Sequence, residues 1–234
     1  MHHGSAPAKT RRVDLSHTIE EGLITYRGLP APLICDFLSR EASHGHYDAG
    51  TEFQIGRIEM VGNTGTCIDA PFHRFADGKD LAALTLDSLA DLECVVVRVP
   101  HDGPDHAIDA RIFRNIDPRG KAVLVHTGWD RHWNTERYFE GHAFLTGAAA
   151  DCLVEAGARL VGIDSLNIDD TRGGTRPVHT TLLGHDIPIV EHMTGLGALP
   201  DAGARFFAAP PMIKAMGSFP VRAFCLVPED NGDE

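Results

Sequence analysis

Short apolar runs separated by Gly- and Pro-bearing turns dominate this chain, and they predict strands more often than helices. Residues 13–19 open it as a strand, and residues 20–32, Glu-Glu-Gly-Leu-Ile-Thr-Tyr-Arg-Gly-Leu-Pro-Ala-Pro, form a loop. Residues 53–60 alternate apolar and polar positions in part, as a half-buried strand does. Residues 84–87 lead into 92–99, a β-branched run that ends at Pro100. Residues 121–127 form another buried strand, closed by Gly128, and residues 160–163 the next, ending in Asp164. Residues 187–190 run into Glu191, and residues 205–209 and 221–227 are late strands. The one strong helical pattern lies at 146–156, with Thr146 as its N-cap and Gly157 as its stop. Residues 101–106 are a polar turn cluster, and residues 129–141 are polar and aromatic. This order predicts a mixed α/β domain built around a β core with flanking helices.

Composition agrees with one sizeable core. The chain has 234 residues, 43% hydrophobic and 23% charged. Its formal charge is −12 and no basic cluster stands out, which excludes nucleic acid and anionic membrane surfaces as partners and leaves a small molecule. Neither a membrane-spanning run nor a signal-peptide pattern is present in the sequence. The five cysteines are scattered and odd in number with no CxxC pair, so a reducing cytoplasm fits better than a disulfide framework. Cys94 and Cys225 sit in apolar runs and read as core residues. The opening Met1-His2-His3-Gly4-Ser5 resembles a trimmed expression tag. Residues 1–12 are therefore expected to be a tag remnant and flexible start, 13–228 a single domain, and 229–234 a flexible acidic tail.

Chemistry concentrates in Asn63-Thr64-Gly65-Thr66-Cys67-Ile68-Asp69-Ala70-Pro71-Phe72-His73. If the stretch before Pro71 is extended, Asn63, Cys67 and Asp69 share one parity and point the same way. Pro71 cannot donate to a central ladder, which ends the strand there and leaves His73 on the following loop. A thiol, a carboxylate and an imidazole bind transition metals or move protons. The same residues also suit a buried strand with a free Cys and a capped turn.

The stretch resembles the signature of the putative cyclase superfamily, which includes bacterial kynurenine formamidase, isatin hydrolase and a zinc-dependent dienelactone hydrolase. The family pattern is His-x-Gly-Thr-His-x-Asp-x-Pro-x-His. Gly65, Thr66, Asp69, Pro71 and His73 match it, whereas Asn63 and Cys67 stand where the family has its two metal-binding histidines. Further resemblances follow in order: Asp14-Leu15-Ser16-His17, Thr127-Gly128-Trp129, Val161-Gly162-Ile163-Asp164, residues 178–184, residues 187–191 and Pro220-Val221-Arg222-Ala223. They span the chain from Asp14 to about Val227.

The resemblance implies a swivelling β/β/α domain and a metal-dependent, arylformamidase-like hydrolase acting on an amide, lactam or lactone of a small aromatic or anionic substrate. It implies a divalent metal, zinc first and manganese second, held by Asp69, His179 and Glu191, with the Cys67 thiolate replacing an imidazole. His73 would carry the proton to the leaving group. Asn63 is a poor transition-metal ligand and would instead hydrogen-bond substrate or water. In the loop at 20–32, Tyr26 would stack on a planar substrate and Arg27 pair with a carboxylate. A homodimer or homotetramer is implied as well. Two alternatives stay open: a metal-free hydrolase with Cys67 as nucleophile, His73 as base and Asp69 orienting it, and a degenerate family member that binds a ligand without catalysis.

Overall fold

A computed structural model describes residues 9–99 and 106–229. The turn cluster at 101–106, apart from His106, and the opening tag lie outside the described residues. In chain order the regular elements are β1 (Thr10–Asp14), β2 (Leu33–Leu38), α1 (Arg40–Ser43), β3 (Ile55–Glu59), β4 (Cys67–Asp69), β5 (Leu92–Arg98), β6 (Ala107–Ile108) and β7 (Ala122–His126). They continue with β8 (Phe144–Leu145), α2 (Gly147–Glu155), β9 (Leu160–Ile163), α3 (Pro177–Gly184), β10 (Ile189–Glu191), β11 (Ala202–Phe207), β12 (Ser218–Pro220) and β13 (Phe224–Pro228).

Nine strands form one mixed sheet in the order β1-β13-β11-β5-β7-β9-β10-β4-β12. Strands β5, β7, β9 and β10 run parallel at its centre, and antiparallel strands flank them. Central parallel strands are buried on both faces, and so they read as unbroken apolar runs. Val95, Val97, Val123, Val125, Val161, Ile163 and Ile189 point to the side covered by α2 and α3. Cys94, Val96, Leu124, Leu160, Val190, Ile68 and Phe206 point to the other side, where Leu15, Leu81, Met193 and Leu196 meet them. Because Ile68 and Val190 face this second layer, alternation puts Cys67, Asp69 and Glu191 on the helix-covered face.

Several boundaries differ from the sequence expectation. Residues 10–12, expected to be flexible, belong to β1 because they pair with Leu226–Pro228 of β13. Glu229, assigned to the tail, still donates its N–H to the carbonyl of Lys9. The stretch from Asn63 is not one strand: Gly65 takes φ +64°, which breaks the extended run, and only Cys67–Asp69 is β. The parity argument therefore holds for Cys67 and Asp69 but does not reach Asn63. β2 was not apparent in the sequence. It pairs with β3 in a separate two-stranded sheet whose residues lie open to solvent. The helix at 146–156 forms as α2, with the Thr146 hydroxyl accepting from the Ala149 N–H and Gly157 at φ +80° behind it.

Candidate metal centre

Asp69 is the last residue of β4, between β10 and β12. Its neighbours across the ladder are Ile189 and Ser218, while Cys67 faces Glu191 and Pro220. The chain then turns through a 3₁₀ segment, Pro71–His73, whose proline occupies a first-turn position where no N–H is needed. The His73 N–H donates to the Ala70 carbonyl, and the Ala70 N–H donates to the Gly217 carbonyl. This turn brings His73 back over the strand, with Nδ1 3.9 Å from Asp69 Oδ1.

His179 arrives from the opposite direction, in the first turn of α3. Asp169 holds that turn: its Oδ1 accepts from the Val178 N–H at 2.8 Å and its Oδ2 from the His179 N–H at 3.0 Å. The same Oδ2 lies 2.7 Å from His179 Nδ1. The other ring nitrogen, Nε2, points at Asp69 Oδ2 (3.5 Å) and Glu191 Oε1 (3.7 Å). Asp69, Asp169, His179 and Glu191 are all buried, whereas the His73 side chain is 35% exposed and marks the open side.

Three carboxylates thus surround one imidazole, and the electrostatics follow. Burial works to lower the His179 pKa, but Glu191, Asp169 and Asp69 outweigh it and raise it to about 10. Burial raises Glu191 to about 7 against the pull of His179. Burial also works to raise Asp69, but the His179 and His73 imidazoles and the Ser218 hydroxyl hold it below the ordinary carboxylate value. Among the described residues, neither Asp69 oxygen has a hydrogen-bond partner, although both are buried. A buried carboxylate without donors is costly unless a cation neutralises it.

Donor atoms of Asp69, His73 and His179 all lie within 4.8 Å of one another. Donors about 2 Å from a shared ion stand roughly 3–4 Å apart, and a carboxylate with two imidazoles suits zinc and its neighbours. The residues fit a divalent cation. Glu191 stands beside this set, with Oε1 already accepting from the Ile168 N–H at 2.7 Å. Cys67 is not part of the set. Its thiol is fully buried, and burial together with the Asp69 and Glu191 charges pushes its pKa well up. Those conditions are the reverse of what activates a nucleophilic thiolate, which argues against a metal-free cysteine mechanism.

The remaining sequence candidates lie outside this donor set. Asn63 is half-buried in the bend before Gly65. Tyr26 packs on a cluster of Trp129, Tyr138 and Leu166. Tyr138 in turn places its hydroxyl 2.9 Å from Nδ1 of His192, the residue after Glu191. Arg27 is engaged by Glu136 (2.7 Å) and Glu140 (3.1 Å) and lies over the Phe139 ring, so its charge is met within the chain. Asp164 accepts from the N–H groups of Thr127 and Gly128 and from the Thr127 hydroxyl, a structural tie between β7 and β9. Sequence reasoning did not single out Asp169. Its only signal was a carboxylate ten residues before His179, since a ligating histidine needs a partner for its second nitrogen.

Residues 13–170 match the family described as Putative cyclase. The chain belongs to that family. Kynurenine formamidase of Bacillus cereus is 28% identical to it over 218 residues, covering 90% of this chain and 95% of the relative. Kynurenine formamidase of Erythrobacter litoralis is 29% identical over 166 residues, covering 70% and 72%. The fold is also that of isatin hydrolase A from Labrenzia aggregata, solved with benzyl benzoate, at a TM-score of 0.79 and 23% identity over 94% of each chain. These relatives support a hydrolase of the cyclase family.

The approach of His73 to Asp69 depends on a close backbone contact. A Cβ built on Gly217 would land on the backbone nitrogen and Cα of His73. Gly217→Ala is therefore expected to displace the 3₁₀ turn and lower hydrolytic activity at least tenfold while the rest of the fold persists. Steady-state kinetics alongside circular dichroism check this; unchanged activity would show that the placement of His73 is unimportant.

Proposed function

We propose that this chain is a metal-dependent hydrolase that cleaves the carbonyl–nitrogen or carbonyl–oxygen bond of a small aromatic amide, lactam or lactone, in the manner of an arylformamidase. The observation that carries the reading is Asp69, a fully buried carboxylate whose oxygens make no hydrogen bond of regular geometry among the described residues and face two imidazoles. The relatives named kynurenine formamidase support the amide part of it.

Asp69 and His179 would hold the cation, zinc or manganese, with Glu191 supplying further negative charge. When bound, such a cation polarises a carbonyl and makes water a nucleophile near neutral pH. His179 would contribute Nε2, the ring nitrogen that faces Asp69 and Glu191. His73, on the open side, takes the proton from the attacking water and returns it to the leaving nitrogen or oxygen. Tyr26, part-buried against the Trp129–Tyr138 core cluster, would be the aromatic face offered to a planar substrate. Anion recognition by Arg27 would first require it to leave Glu136 and Glu140, which favours the planar class over the anionic one.

Asp69→Ala is expected to remove both bound metal and hydrolysis of aryl formamides, isatin-type lactams or lactones while the protein remains folded. Elemental analysis with a chelator-sensitive activity assay checks this, and normal metal content in the variant would sink the assignment. His73→Ala is expected to keep the metal and lose on the order of 10²–10⁴-fold in rate, the usual cost of a general acid/base. The donor cluster favours a second role for His73, as third ligand. Loss of metal together with rate in His73→Ala would establish that role instead. A parent protein that binds metal yet hydrolyses none of these classes would point to the ligand-binding alternative.

We also propose that a second copy of the chain covers the β2–β3 sheet. A lone two-stranded sheet is marginal in water. This one exposes Leu33, Ile34, Phe37 (75% exposed), Ile55 and Ile58, with Phe53 exposed just before β3. Spread over both faces, these side chains offer about 500 Å² of apolar surface in total, so either face alone supplies a smaller part of the roughly 800 Å² per partner in a standard interface. The free strand edges allow the same surface to pair with itself about a two-fold axis. A dimer is expected in sedimentation, and Phe37→Asp combined with Ile58→Lys is expected to yield monomer; a monomeric parent would overturn this.

A further inference from the structure

Asp169 makes contacts that a helix cap does not need. Two backbone donors at the start of α3, the Val178 and His179 N–H groups, already satisfy the capping role of its two oxygens. The third contact, 2.7 Å from Oδ2 to His179 Nδ1, goes to a side chain. Asp169 is itself held. Its N–H donates to Asn167 Oδ1 at 3.0 Å, and its carbonyl lies 3.1 Å from Nε2 of buried His142. The same short loop reaches Glu191, since the Ile168 N–H donates to Glu191 Oε1 and the Asn167 amide donates to Oε2 at 3.4 Å. One rigid segment behind β9 thus sets the orientation of both groups that face Asp69.

We propose that Asp169 is a positioning residue that occupies Nδ1 of His179 and so presents Nε2, with its lone pair, to the cation site. The inference rests on the metal-centre reading above and goes beyond it, because Asp169 touches neither the cation nor the substrate. Its chemistry is specific to a carboxylate. Asn at this position keeps one acceptor for the helix N-terminus and nearly the same volume. Its NH₂ group, however, would donate to Nδ1 and drive the ring proton onto Nε2, which masks the ligand atom. A residue acting only as a cap would lose one backbone acceptor in that exchange but would leave the His179 tautomer, read by the nitrogen spectra below, unchanged.

The test is cation affinity, measured by competition of Zn²⁺ and of Mn²⁺ against a chromophoric chelator, on the parent, Asp169→Asn and Asp170→Asn. Asp170 is the neighbouring carboxylate, surface-paired with Arg172, and serves as control. The expected result is a 10–100-fold weaker affinity in Asp169→Asn, the usual effect of losing a partner behind a metal-bound imidazole. Asp170→Asn should match the parent. Equal affinity in Asp169→Asn and parent would overturn the proposal. A parent that takes up neither ion would instead bring down the metal-centre reading on which it rests. A second measurement does not depend on the variant folding. In the zinc-loaded parent, ¹⁵N histidine spectra should show His179 protonated at Nδ1 and metal-shifted at Nε2; the reverse assignment would overturn the proposal as well.

Discussion

The buried carboxylate of Asp69 is the constraint around which the centre is organised. It sits at the end of a three-residue strand, fully enclosed, with neither oxygen hydrogen-bonded among the described residues. Leaving an ionised group in that state costs several kcal/mol unless positive charge compensates. Two imidazoles supply part of that compensation, and His179 is pushed to about pH 10 as a result. One imidazolium does not balance Asp69, Glu191 and Asp169 together. The imbalance has the sign and the donor types of a divalent-cation site.

Sheet parity turns that local constraint into a site. Ile68 and Val190 anchor β4 and β10 in one core layer, so Cys67, Asp69 and Glu191 must project from the opposite face. On that face α3 is packed through Val178, Leu182 and Leu183, which sets His179 above Asp69. A one-residue slip of β4 would bury Asp69 in the apolar layer and lift Ile68 into the site. The antiparallel flanks on both sides of β4, β10 and β12, oppose such a slip. The stability of the core and the geometry of the centre therefore share the same register.

Much of the fold was legible because central parallel strands have a simple signature. Residues 160–163 match β9, and the Val-rich run of β5 and the strand closed by Gly128 could be read directly. Thr146 and Gly157 announced α2 through local capping chemistry. The arm at β2 was not legible, since its apolar residues face solvent on both sides and show no useful alternation. Asn63 misled for a backbone reason, the left-handed Gly65 between it and the strand. Asp69, His73, His179 and Glu191 were found by resemblance, and the fold brings them from three separate segments to one place. Asp169 escaped because its value lies in a contact across a loop, which no spacing in the sequence encodes.

The two departures from the family pattern have different physical settings. Cys67 is enclosed between β10 and β12, opposite Glu191, where burial and the neighbouring carboxylates push its thiol pKa up, and it lies outside the Asp69–His73–His179 set. Asn63 lies outside the strand altogether, half-buried in the bend that precedes it. The donor atoms around Asp69 come from α3 and the 3₁₀ turn, which deliver His179 and His73. The chain thus keeps the part of the centre that is held by the sheet register and by Asp169. Of the two departures, Asn63 lies in the loop before β4, whereas Cys67 is on β4 itself, held by the same register. Asp69 and Glu191 together carry negative charge of the size that offsets one dication, and His179 adds a nitrogen donor that points at both.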